Sequence, residues 1–157
     1  PNLPVRLGKG VVGLYSHSAN LAARNAVTGL MAALGHAEWF DDEELFGLAG
    51  VLSGAGPAFL FRFVDALARA AERLGLPAEQ ATRLATMMVD GAAALAAASD
   101  ESAATLAERV ASPGGTTEAG LAMLDADEAL AELVARTLDA ARRRSLEIAA
   151  EARGPSS

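Results

Sequence analysis

Residues 41–74 read DDEELFGLAGVLSGAGPAFLFRFVDALARAAERL, and their helical pattern sets the character of the chain that follows. Asp41 or Asp42 is a natural N-cap, and Glu43 and Glu44 stand where a helix dipole favours negative charge. A helix is expected over about 42–52, running into Ser53-Gly54-Ala55-Gly56. Pro57 is well placed in the first turn of a second helix, about 57–74. Leu60, Val64, Leu67, Ala71 and Leu74 recur at helical spacing, and Phe59 and Phe63 widen that stripe. Further helices are expected over about 78–98, 102–110, 116–124 and 127–151, with ARGPSS as a frayed tail. The stretch GAAALAAAS (91–99) suits close approach to another helix.

Toward the N-terminus the pattern differs. Pro1 and Pro4 disfavour helix, so residues 1–16 are expected to be extended, with VVGLYS (11–16) as a strand. Ser18 can cap a helix over about 19–34, Gly35 can stop it, and HAEWF (36–40) can form a second strand. Strand, helix, strand resembles the closing piece of an α/β domain.

Composition bounds the function. Of 157 residues 52% are hydrophobic, but 38 are alanine and only 4% are aromatic. Such a core buries little area per helix and calls for close helix packing or a partner chain. Thirteen basic against twenty acidic residues give a net charge of -7, which argues against a nucleic-acid-binding face. With no cysteine, disulfides, thiol catalysis and thiolate metal sites are excluded. His17 and His36 are too few and too far apart for a histidine metal site, so no metal is expected. Lys9 is the sole lysine available to Schiff-base chemistry. No run of 18 or more apolar residues lacks charge, so no transmembrane span is expected. The start has neither an initiator Met nor a signal-peptide h-region, consistent with a piece of a longer, cytoplasmic protein.

Two segments invite a chemical reading. Ser53–Gly56 is neither a dinucleotide fingerprint, since Phe59 stands where glycine is needed, nor a nucleophile elbow, since Val51 does. It reads as a joint where glycines let helices approach. Ser112-Pro113-Gly114-Gly115-Thr116-Thr117 is more informative. A helix starting near Thr116 would aim the amides of Gly115, Thr116 and Thr117 at a small anion such as a carboxylate, with hydroxyls from Ser112, Thr116 and Thr117 beside them. The alternative is a plain capped turn. Glu43, Asp100 and Glu101 are separate candidates, each near a helix end, where capping or solvation is the favoured explanation. The run Arg142–Arg144 reads as a solvated face.

Ser53-Gly54-Ala55-Gly56-Pro57-Ala58-Phe59, Leu74-Gly75-Leu76-Pro77, Gly91-Ala92-Ala93 and Ser112-Pro113-Gly114-Gly115-Thr116-Thr117, in that order and spacing, resemble pyrroline-5-carboxylate reductase. Pro1-Asn2-Leu3-Pro4 resembles that family's P-N-T-P, with Leu3 in place of threonine. The similarity runs over about 1–150. It implies a mainly α fold: an all-helical dimerisation and substrate-binding domain over 41–151, preceded at 1–40 by the end of a Rossmann domain, and a disordered tail at 152–157.

It also implies reduction of 1-pyrroline-5-carboxylate to L-proline with NADPH or NADH, in a homodimer or higher oligomer whose C-terminal helices interlock. The resemblance places the substrate carboxylate on Ser112, Gly114, Gly115, Thr116 and Thr117, and the Thr117 hydroxyl at the ring nitrogen. Glu43 and Asp100 fall near the substrate, and Arg109, Val110 and Ser112 near the nucleotide. There are departures. Asp100 replaces an expected glutamate and the usual His-Pro pair is missing beside it. No G-x-G-x-x-G occurs in these residues, so the chain by itself is expected to be inactive. A non-catalytic oligomerisation module and a reductase of a related cyclic imine acid are the alternatives.

Overall fold

The structure, a computed structural model, describes residues 1–153. The chain forms two compact units, residues 1–59 with the segment from Arg136 onward, and residues 60–135.

In the first unit, strands β1 (Gly10–Tyr15) and β2 (Gly35–Phe40) pair in parallel, Gly10 opposite Gly35 and Tyr15 opposite Phe40. A parallel pair needs a crossover, supplied by helix α1 (Leu21–Met31). The expected strand–helix–strand is present, with two local corrections. Residues 3–7 form a 3-10 turn rather than extended chain, because Pro4 lies in its first turn, where a missing N–H costs nothing. The N-cap of α1 is Asn20, whose Oδ1 accepts from the Ala23 amide at 2.9 Å, and not Ser18, whose own amide is taken by Ser16 Oγ. Gly35 is held at φ 134, and a Cβ there would collide with the backbone of Gly10, so the strands start at van der Waals contact.

Helix α2 runs unbroken from Glu43 to Arg73 with Pro57 inside it. This corrects the expected break at Ser53–Gly56. The proline withdraws one donor, while the arms on both sides keep their own hydrogen bonds and a shared apolar register. Asp42 caps the start, accepting from the Leu45 amide at 2.9 Å. Asp41 instead pairs with Arg24 at 3.0 Å, and that guanidinium lies 4.8 Å from the Trp39 ring centroid. Helix α6 (Ala129–Arg153) extends past the expected end at 151, so residues 152 and 153 are helical; the rest of the expected tail, 154–157, lies outside the described residues. Arg142–Arg144 is an exposed face, as expected, and its guanidinium groups are paired. Arg143 pairs within α6, with Asp139 at 3.2 Å, and Arg144 with Glu147 at 2.8 Å, but Arg142 reaches Glu44 at 2.6 Å.

In the second unit, α3 (Ala78–Ala98) returns from α2 through a turn in which Gly75, at φ 109, closes the helix end. Ala68, Ala81 and Ala85 form the buried cluster, flanked by Val64, Leu67 and Ala71. Helices α4 (Ala103–Val110) and α5 (Thr116–Asp125) follow, capped in the first case by Ser102 Oγ on the Thr105 amide. The fold is therefore mainly α with a two-stranded βαβ remnant. Among the described residues the buried set is only Val12, Val51, Ala68, Ala81 and Ala85, while Phe61, Met87 and Leu95 are each more than half exposed. Helix α2 is, among those residues, long and apolar enough to cross a membrane by length and composition, at a mean hydropathy of 1.4. Its longest charge-free run, residues 45–61, stops at Arg62, just short of the run that was expected of a membrane span.

Candidate functional site

The connection from α4 to α5 is built by its glycines. Pro113 cannot continue a helix, Gly114 takes φ 70, and the Gly115 amide donates to the Ser112 carbonyl at 2.8 Å. A Cβ on Gly115 would stand 2.8 Å from that carbonyl oxygen, so the turn closes only around glycine. Gly115 is the N-cap of α5, and no side chain caps the helix. The first helical bond of α5 is Ala119 N–H to the Gly115 carbonyl, at 3.2 Å. The amides of Thr116 and Thr117 are thus left without an intrahelical acceptor at the positive end of the helix.

The expected trio of open amides needs one correction: Gly115 spends its N–H inside the turn, so Thr116 and Thr117 carry the open pair. The Gly114 amide is also occupied, by Glu118 Oε2 at 2.8 Å. Glu118 was not among the sequence candidates. Its position three residues after the N-cap, where acidic side chains reach back to free amides, is the signal that could have found it. Thr117 is half-buried, while Ser112 and Thr116 are exposed.

The other candidates stand apart. Arg109 and Glu101 form an ion pair at 2.5 Å, which holds the guanidinium at the end of α4. Val110 beside it is exposed, and Asp100 is exposed with no ion pair among the described residues. Glu43 belongs to the first unit, where it lines a cavity of about 510 Å³ with Phe46, Val51, Arg142 and Leu146. Across the start of α2, Tyr15 stacks on Phe46 at 5.8 Å and its hydroxyl meets His17 Nε2 at 2.8 Å. Desolvation, then the charges of Glu43 and Asp42, raise the Tyr15 phenol above its ordinary pKa. The described residues hold no cluster of metal-ligating side chains.

The fold is that of a helical dimerisation domain with an exposed apolar surface, preceded by a βαβ remnant of a Rossmann domain. The sequence model for pyrroline-5-carboxylate reductase dimerisation matches residues 43–148, and the chain belongs to the pyrroline-5-carboxylate reductase family. The reductase of Pseudomonas aeruginosa is 41% identical over 150 residues, 95% of this chain and 55% of that protein. The reductase of Treponema pallidum is 37% identical over 80% of this chain and 48% of its own length. A solved pyrroline-5-carboxylate reductase from Coxiella burnetii superposes with a TM-score of 0.88 at 36% identity, covering 94% of this chain and 54% of that one. A pyrroline carboxylate reductase from Plasmodium falciparum, solved with NADP bound, gives a TM-score of 0.77 at 25% identity, over 92% and 59% of the two chains. The chain spans about half the length of the relatives it matches.

Proposed function

We propose that the protein carrying these residues reduces 1-pyrroline-5-carboxylate to L-proline with NADPH or NADH. The observation that carries this reading is the α5 N-terminus. A Ser, Thr, Asp or Asn cap would occupy one of the first amides with its own side chain; here a glycine leaves the Thr116 and Thr117 amides open to a carboxylate. Residues 1–40 close the nucleotide-binding domain, and 41–151 form the substrate-binding and dimerisation domain. The apolar surface of α2 and α3 is then the dimer interface of a cytoplasmic enzyme, and no membrane, nucleic acid or metal enters the reading.

The residues present fit a nucleotide only at its edge. Arg109, Val110 and Ser112 lie exposed around the end of α4, and no phosphate-binding turn occurs in these 157 residues. The nucleotide supplies the hydride. This chain's part is to fix the imine acid by its carboxylate on the turn Ser112–Thr117 and to present the Thr117 hydroxyl to the ring nitrogen, as donor or as relay from water. Asp100 and Glu43 belong to this site on the family resemblance alone.

The test uses the intact protein. Nicotinamide oxidation should depend on added pyrroline-5-carboxylate, and the 157 residues alone should show no turnover. Thr117→Ala should lower kcat/KM for the imine by about 5- to 150-fold, the worth of one hydrogen bond at the transition state, and leave Tm nearly unchanged. Unchanged kinetics with a lowered Tm would return the turn to simple capping.

A further inference from the structure

Pro57 lies inside α2 and has no N–H, so the carbonyl of Ser53, one turn back, loses its helical donor. The Ser53 side chain does not repair this, because its hydroxyl donates to the Ala49 carbonyl at 2.8 Å. The replacement comes from the start of the chain: Asn2 Nδ2 donates to the Ser53 carbonyl at 2.9 Å in a partly buried setting. The other end of that carboxamide, Oδ1, accepts from the Val11 amide of β1, also at 2.9 Å. The orientation of the amide is forced by its partners, since a carbonyl only accepts and an N–H only donates. The backbone carbonyl of Asn2 meanwhile accepts from the Val5 amide at 3.2 Å and opens the turn over residues 3–7.

We propose that Asn2 is a conformational clasp. It stands in for the N–H that Pro57 lacks and ties the proline turn of α2 to the first residues of β1, so that the two move as one body. The role needs a donor and an acceptor on one short, planar group. Aspartate lacks the donor, and an aliphatic residue lacks both. All four residues involved belong to the same compact unit. This inference is independent of the reductase reading, because it concerns how the fold satisfies a helix interrupted by proline. Moving α2 away from β1 would break the Asn2–Ser53 bond and leave the Ser53 carbonyl to water alone, which is the cost that keeps the clasp shut.

The experiment is a double-mutant cycle in the intact protein, read by thermal unfolding. Pro57→Ala returns an N–H to the Ser53 carbonyl and makes the Asn2 donor redundant. Asn2→Ala should lower Tm by about 3 °C or more when Pro57 is present, and by less than half as much in the Pro57→Ala background. A loss of half or more in that background would overturn the clasp. If Pro57→Ala does not fold, Asn2→Asp decides the question, because it keeps the acceptor for Val11 and removes only the donor to Ser53. It should melt at least as low as Asn2→Ala. An Asn2→Asp protein that melts like the wild type would overturn the proposal.

Discussion

Tyr15 is the only tyrosine in these residues, so its titration is readable on its own. Packing against Phe46 and the nearby carboxylates of Glu43 and Asp42 favour the neutral phenol. In a protein of these 157 residues, absorbance of the phenolate should rise only at a pH above the ordinary tyrosine range of about 10. Glu43→Gln should shift the midpoint back down, and a midpoint insensitive to that change would deny the electrostatic part. The sign for stability follows. A folded pKa above the unfolded one leaves the stabilising contribution intact below about pH 10 and removes it as the pH rises through the folded value. At this scale the turn Ser112–Thr117 was legible because proline and glycine chemistry is local: Pro113 must end a helix and Gly114 invites φ above zero. The amide of Gly115 was misassigned because a turn's internal hydrogen bond depends on closure, which residue types permit but do not specify. Arg142 shows the same limit. Three consecutive arginines look alike in sequence, yet they point to different sides of α6, and only one finds Glu44.

Among the elements, α2 shows where local rules compete. Ser-Gly-Ala-Gly-Pro reads as a break, and each residue does weaken a helix. The helix continues because both arms carry apolar residues in one register and a distant side chain replaces the missing donor. That distance, from Asn2 to Ser53, is why the continuity could not be read from a local window. The turn of the α2–α3 hairpin was legible, since Gly75 and Pro77 mark it, but the contact was not: Ala68, Ala81 and Ala85 are the buried alanines, while 91–98, expected to approach another helix, are exposed. Ala68 of α2 shares one buried cluster with Ala81 and Ala85 of α3, and Ala81 is 2% exposed. Ala81→Leu should therefore force the helices apart and destabilise by about 1–3 kcal/mol, measured by denaturant unfolding. The same change at the exposed Ala97 should be nearly silent, and equal effects at both positions would contradict a close α2–α3 contact.

For the molecule as a whole, the alanine-rich composition already implied a thin core, and the structure bears this out with five buried apolar residues among those described. A second chain was expected to cover the rest; which residues meet across that contact could not be read, because the register of two helical surfaces is not set by local sequence. On the dimer reading, the chain should sediment at about twice its 16.0 kDa in detergent-free buffer, and its Tm should rise with protein concentration. A monomer with a concentration-independent Tm, or solubility only in detergent, would rule that out. The thin core has a consequence in the cell. A newly made subunit displays to chaperones and proteases the same surface that it keeps for its mate, so its lifetime depends on how soon it finds one. Halving the rate of synthesis should then lower the steady-state level by more than half, and a co-expressed variant that assembles but does not catalyse would protect the wild-type chain from degradation while diluting its activity.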